Sequence, residues 1–252
     1  MTVTSTEHHG QDTAGHFEDS TAAAQAPARV VLLDNRDSFV YNLVDQFATL
    51  GSQIEVYRNN VQASRVLTAL EPTGAEREAG RRPVLCLSPG PGYPATSGCL
   101  MELIVTALER AIPTLGICLG EQMLLDESDE GADVHGAPTP GLGLVPGRVV
   151  RFDPVRMKAA GNLKVPHMGW NRVHPPRPHP LWEGIEPGAF FYFVHSFHAE
   201  PTNPENVAAT SVYGEVFTCA VTQNNMFATQ FHPEKSAASG LRLFRNFIHW
   251  RP

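Results

Sequence analysis

The chain has 252 residues, and its 19 Lys and Arg against 26 Asp and Glu give a formal net charge of −7. That balance argues against a nucleic-acid or anionic-membrane partner, and no apolar run is long enough to span a bilayer. Four scattered cysteines without metal-ligand spacing, and no basic-then-apolar leader pattern, point to a cytoplasmic location and give no sign of a metal or organic cofactor.

Residues 1–28 are small and polar, with one aromatic and no apolar periodicity, and read as a disordered tail. The pair His8 and His9 lies in this tail and is assigned no metal. A single domain is expected over 29–252, and its first element is RVVLL (29–33), a short apolar run of the kind a buried parallel strand shows. DNRDS (34–38) then reads as a turn. Phe39, Val40, Leu43, Val44 and Phe47 recur at helical spacing, with Gly51 as the stop.

QIEVY (53–57) is the second strand, PVLCL (83–87) the third and PTLGI (113–117) the fourth, with a helix at about 98–110. The segment 71–83 reads as a surface loop. This alternation predicts an α/β fold with an open, mostly parallel central sheet flanked by helices. Beyond about residue 130 the pattern changes to short β-like runs separated by Gly, Pro and Asn. They are GLGLVPGRVVRF, GWNRVH, AFFYFVHSF, GEVFTCAV and NMFATQF, and they predict antiparallel strands added to the same sheet. SGLRLFRNFIHW (239–250) closes the chain as a helix, with Leu241, Phe244, Phe247 and Ile248 on its buried face.

The chemistry concentrates at Cys118. An open parallel sheet places its site beyond the carboxyl ends of its strands, and Cys118 directly follows the fourth strand. Gly116 and Gly120 flank it, which permits a sharp strand-to-helix elbow that exposes the thiol. The first turn of the following helix would favour the thiolate, and the Leu119 amide would help to hold an oxyanion. A base is needed, and His232 in FATQFHPEKS (227–236) is the best candidate, with Glu234 two residues on to orient it. With Pro233 keeping the backbone extended, both side chains would point the same way. On spacing alone His167, His174, His179, His195 and His198 are also candidate bases. Cys86, Cys99 and Cys219 read as structural. These residues by themselves point to a cysteine hydrolase or acyltransferase.

SPGPGYP (88–94), GICLGEQ (116–122) and QFHPEKS (230–236), in that order, resemble the three signature blocks of the class I, triad-type glutamine amidotransferases, whose fold is of the flavodoxin-like α/β type. The resemblance spans residues 29–252. It implies that Cys118 attacks the side-chain amide of glutamine, with His232 as base and Glu234 as orienter. It also implies that Gly90, Pro91 and Gly92 form the oxyanion strand, and that Leu119, Gln122, His195 and Ser196 complete the glutamine site. Released ammonia would pass to a synthase partner.

Two subfamilies are resembled in succession. VVLLDNRDSFVYNLVDQFATLG, YRNN and CLSPGPGYPATSG are similar to the glutaminase component of anthranilate synthase and of aminodeoxychorismate synthase. From the Cys118 block onward the chain is similar to the glutaminase subunit of imidazole glycerol phosphate synthase, through LKVPHMGWNRV, PHPLWEGI, FYFVHSFHAEP and GLRLFRNF. That second resemblance implies histidine biosynthesis and a (β/α)8-barrel cyclase partner, with His167, Met168, Gly169, Trp170 and Asn171 as candidate interface residues. The first implies a chorismate-binding synthase component instead. A third alternative is a chimera of the two patterns, folded but catalytically silent. The subfamily's usual Pro-Gly-Val-Gly is PGPG here, so Pro91 is expected to stiffen the oxyanion strand and alter coupling to a partner.

Overall fold

A computed structural model describes residues 26–93 and 96–252. Most of the expected tail, including His8 and His9, lies outside the described residues. Ala28, assigned to the tail from sequence, is buried, and its amide donates to the Ile248 carbonyl at 3.1 Å.

The first half alternates strand and helix: β1 (Val30–Asp34), α1 (Val40–Thr49), β2 (Ile54–Arg58), α2 (Ala63–Ala69), α3 (Gly74–Glu78), β3 (Val84–Leu87), α4 (Leu100–Glu109) and β4 (Thr114–Ile117). A one-turn helix, α5 (Leu119–Gln122), follows. The second half contains β5 (Glu127–Ser128), β6 (Thr139–Pro140), β7 (Gly147–Arg151), α6 (Pro154–Ala159), β8 (His167–Val173), β9 (Ala189–His195), β10 (Phe197–Pro201), β11 (Val207–Tyr213), β12 (Glu215–Gln223), β13 (Met226–Thr229) and α7 (Ala237–His249).

The central sheet runs β2-β1-β3-β4-β13-β12-β10-β7-β5-β6, with β11 paired to β12. The five strands from β2 to β13 are mutually parallel, and antiparallel strands extend the sheet beyond β13. β1 explains the layering at residue level. Val30 and Leu32 face the core beneath α1 and α7, while Val31 and Leu33 face the core with α2 and α4. Both faces are dry, so the strand reads as a continuous apolar run instead of alternating.

Five expectations need correction. β8 and β9 do not join the main sheet; they pair with each other as a separate two-stranded unit. The run AFFYFVHSF, continued by HAEP, is split at Ser196 into β9 and β10, which belong to different sheets. The loop 71–83 contains α3, started by a reciprocal capping box between Thr73 and Glu76. Glu76 also binds Arg29 at 3.0 Å, so a largely buried ion pair anchors this short helix to the sheet. In α1 the buried face is Val40, Leu43 and Phe47; Phe39 lies outside the helix and is half exposed. In α7 the buried stripe is Leu243, Phe244, Phe247 and Ile248, with Leu241 only partly covered. Among the described residues no helix is long and apolar enough to cross a membrane.

Candidate active site

Cys118 sits at the carboxyl end of β4 with φ 56° and ψ −98°, a conformation that non-glycine residues rarely adopt. The turn is tight because a Cβ on Gly116 would stand 3.0 Å from the Gly120 carbonyl carbon. A Cβ on Gly120 would meet only the Leu87 side chain, at an ordinary 3.6 Å. Gly116 is thus the residue the elbow requires, and Gly120 is less constrained than the spacing suggests. The Cys118 amide donates to the Thr229 carbonyl at 2.7 Å, which ties the elbow to β13. The helix behind Cys118 lasts a single turn.

β13 lies parallel to β4 with Thr229 opposite Ile117, so the residues after β13 arrive beside Cys118. This register brings His232 to the thiol from far along the chain. Its amide donates to the Tyr192 carbonyl at 2.9 Å, and Ser236 Oγ donates to its carbonyl at 2.6 Å. His232 Nδ1 donates to Glu234 Oε1 at 2.7 Å, and both side chains are buried. The geometry of this pair differs from the expectation. Pro233–Lys235 form a 3-10 turn, with proline at its first position, so a turn brings the carboxylate to the imidazole.

Burial alone would lower the pKa of His232. Hydrogen bonding to Cys118 and Glu234, and their charges, outweigh it and raise the pKa to about 10. Nε2 is buried and makes no hydrogen bond of ordinary geometry, so its interaction with Cys118 is a loose one.

Beside the thiol opens a cavity of about 240 Å³, lined by Gly90, Pro91, Gly92, Leu119, Gln122, His195 and Ser196 together with Cys118. Every residue expected to bind substrate therefore converges on one pocket. Larger cavities of about 610 Å³ lie elsewhere, one around Arg29, Glu55 and Glu76, but no cysteine lines either of them. The oxyanion strand is backed by the DNRDS turn: a Cβ on Gly90 would stand 2.0 Å from the Asn35 carbonyl oxygen, and Asn35 Nδ2 donates to the Pro91 carbonyl at 3.5 Å. Glu130 also lines the pocket, and burial pushes its carboxyl pKa up. No sequence pattern marks it, because it lies in an irregular segment after β5. Gln230, inside the quoted QFHPEKS block, places one terminal atom of its side-chain amide 3.4 Å from Cys118 Sγ, a closeness its place in the motif does not announce.

The other candidate bases are placed differently. His195 Nδ1 meets the Phe197 carbonyl at 2.7 Å, and its Nε2 meets His167 Nδ1 at 2.9 Å. Burial lowers both pKa values, to about 3 for His195 and about 4 for His167, so both are neutral and serve as hydrogen-bonding groups. Burial also lowers His179, to about 4, and His198. His174 bridges to Thr210 at the edge of the β8–β9 unit.

Of the expected interface residues, the alternation of β8 turns His167 inward, where at 3% exposure it is closed to any partner. Met168 and Trp170 point outward at 62% and 52% exposure, and Gly169 and Asn171 are half-buried. Trp170 packs edge-on against Tyr192, whose ring, with that of Phe39, covers the Lys235 ammonium. Cys86 and Cys219 are buried thiols whose pKa values burial drives upward, the state of inert core cysteines, and Cys99 is only partly covered. Among the described residues no His, Cys, Asp and Glu cluster suits a metal ion.

Comparison with known proteins places the chain in a class. The family model for "Glutamine amidotransferase class-I" matches residues 31–250, and the chain belongs to that family. It is an enzyme of the glutaminase type. Within the family it is similar to "Imidazole glycerol phosphate synthase subunit HisH" of Aromatoleum aromaticum, 49% identical over 171 residues that cover 64% of this chain and 78% of that protein. The protein of the same name from Methylococcus capsulatus is 50% identical over 171 residues, covering 64% and 76%. A match of that length exceeds the span from Gly116 to Pro252, so the likeness to these proteins begins upstream of the Cys118 block. A solved structure of a putative GMP synthase component from Thermoplasma acidophilum superposes with a TM-score of 0.60 at 19% identity, over 88% of this chain and 93% of that one. At that identity the likeness is one of fold.

Proposed function

We infer that the chain is the glutaminase subunit of an imidazole glycerol phosphate synthase, and that Cys118, His232 and Glu234 are its catalytic triad. The observation that carries the triad is the buried His232–Glu234 pair beside a thiol on a strained elbow, opening into a glutamine-sized pocket. The Cys118 thiolate attacks the side-chain amide carbon of glutamine, and the carbonyl becomes a tetrahedral oxyanion. Backbone amides at Leu119 and along the Gly90–Gly92 strand are the candidate donors to it; Pro91 has no N–H to give. The His232 imidazolium delivers its proton to the departing nitrogen, ammonia leaves, and a γ-glutamyl thioester remains. His232, now neutral, takes a proton from water as it attacks the thioester, and glutamate is released with the thiolate restored. Glu130 offers a carboxylate to the α-ammonium group of the substrate, while Gln122, His195 and Ser196 bound the remainder of its head group.

Ammonia is useful only as the neutral molecule, so direct passage to a docked synthase is favoured over release. The exposed Met168 and Trp170, continuous with Tyr192 and Phe39, form the apolar surface best suited to a barrel-shaped cyclase. Glutamate release from glutamine tests the reading, with Cys118→Ala as blank, measured alone, with ligand-loaded cyclase, and with a chorismate-loaded anthranilate component. Stimulation by the cyclase is expected. Stimulation by the chorismate-binding component alone would replace this reading with the anthranilate one. Turnover by Cys118→Ala would refute the triad.

A further inference from the structure

Glu121 is wholly buried directly behind the nucleophile, and nothing in the triad chemistry uses it. The titratable groups that face it are Cys118 at the elbow and Cys219 on β12. A polar side chain beside it is Gln230, also fully buried. One terminal atom of the Gln230 amide lies 3.1 Å from Gln122 Nε2, 3.3 Å from Glu121 Oε2 and 3.2 Å from the Phe197 carbonyl, and the other lies 3.4 Å from Cys118 Sγ.

The amide has two orientations, and they make opposite demands on Glu121. With nitrogen toward Glu121, it donates to an ionised carboxylate and to the Phe197 carbonyl. It then sets its nitrogen against the Gln122 donor and turns its own oxygen toward the sulfur. With oxygen toward Glu121, it accepts from Gln122 and from a protonated carboxyl and its N–H points at the sulfur, at the cost of setting its oxygen 3.2 Å from the Phe197 carbonyl oxygen. Two facts decide between them. The Phe197 carbonyl already accepts from His195, so it does not need Gln230. Glu121 Oε1 has no partner, and an ionised carboxylate with a bare buried oxygen costs far more than a neutral carboxyl in the same place. Burial, and the negative charge of the Cys118 thiolate, both raise the pKa of Glu121 well above the ordinary carboxyl value.

We propose that Glu121 is a positioning residue that stays protonated, donates its O–H to Gln230, and thereby holds the Gln230 N–H against the Cys118 thiolate. The chain Glu121 O–H to Gln230 Oε1, then Gln230 Nε2–H to Sγ, supplies stabilisation to the thiolate. It rests on Cys118 being the nucleophile, and acts through Gln230 without touching substrate.

The test compares wild type with Glu121→Leu, Glu121→Gln and Gln230→Leu, reading Cys118 alkylation by iodoacetamide against pH together with kcat and KM for glutamine. A hydrogen bond to a charged sulfur is expected to be worth about tenfold or more. Glu121→Leu and Gln230→Leu should therefore slow alkylation at neutral pH by about that factor, move its pH midpoint upward, and lower kcat more than they raise KM. Glu121→Gln keeps a neutral donor and should rescue most of the loss. An unchanged alkylation profile in Glu121→Leu overturns the proposal, and so does a Glu121→Gln variant as impaired as the leucine one. Infrared difference spectra of wild type against Glu121→Gln serve where the leucine variant does not fold. A protonated-carboxyl stretch is expected, and a carboxylate band alone refutes the idea. Failure of the nucleophile reading would instead appear as Cys118→Ala retaining turnover.

Discussion

Cys118 carries its own conformational cost. At φ 56° and ψ −98° its Cβ is crowded in a way glycine would escape. Strain of this kind is about 1–3 kcal/mol, and relieving it with glycine loses part of that to the freer unfolded chain. Cys118→Gly should therefore melt at a temperature equal to or above wild type while releasing no glutamate; a clear drop in melting temperature would contradict the strained-elbow account. Glu130→Gln should raise KM for glutamine by about tenfold with kcat nearly unchanged, since one charge–charge contact to the ammonium group is lost. Steady-state kinetics check this, and a rise confined to kcat would move Glu130 away from the ammonium group. The pKa of His232 offers a third prediction. Glu234 is one of the groups that raise it to about 10, so Glu234→Gln should bring it down, as an NMR titration of the imidazole would register. At this scale the proposed triad of Cys118, His232 and Glu234 could be picked out because its residues sit in dense blocks. Glu121, Gln230 and Glu130 could not, because only burial and proximity give them a role, and neither shows in spacing.

Among the elements, β8 and β9 carry the proposed docking face, and they were the least readable. Their apolar runs look like every other strand in the second half. Their separation from the main sheet depends on non-local pairing, His167 opposite His195 through Val173 opposite Ala189. The parallel strands were legible for the opposite reason: burial on both faces leaves unbroken apolar runs such as VVLL and VLCL. α2 and α3 escaped a sequence reading because each is short and held by tertiary contacts, Arg29 with Glu76 among them. The alternation on β8 makes a prediction of its own. A Met168→Ala, Trp170→Ala double variant should keep cyclase-independent glutamate release within about threefold and lose most of the cyclase stimulation, because exposed apolar anchors dominate interface energy. Undiminished stimulation would move the docking face elsewhere.

Across the whole molecule, histidines set opposite pH limits. His167, His179 and His195 have folded pKa values of about 4, 4 and 3, below the ordinary 6.5. Below about pH 6.5 the unfolded chain takes up protons that the folded chain refuses, so their contribution is full above that pH and drains away as it falls. His232 works in reverse: with a folded value of about 10, its contribution is full below 6.5 and is lost as pH rises through 10. Melting temperature should peak between about pH 6 and 7 and fall on the acid side, and His195→Phe should soften that acid fall. A melting temperature that keeps rising from about pH 7 down to about pH 5 would rule out the neutral histidine cluster.

The position of β13 has a consequence for how the chain is made. This strand lies in the middle of the sheet, between β4 and β12, yet comes from residues 226–229. Until it is synthesised, β4 has an open, fully apolar edge, and the early half cannot seal against the late half. On the proposed reading, a growing chain therefore holds its nucleophile Cys118 before its base His232, so it gains glutaminase chemistry only once β13 is in place. The same arrangement leaves the half-made protein dependent on chaperones and especially exposed to aggregation when synthesis stalls.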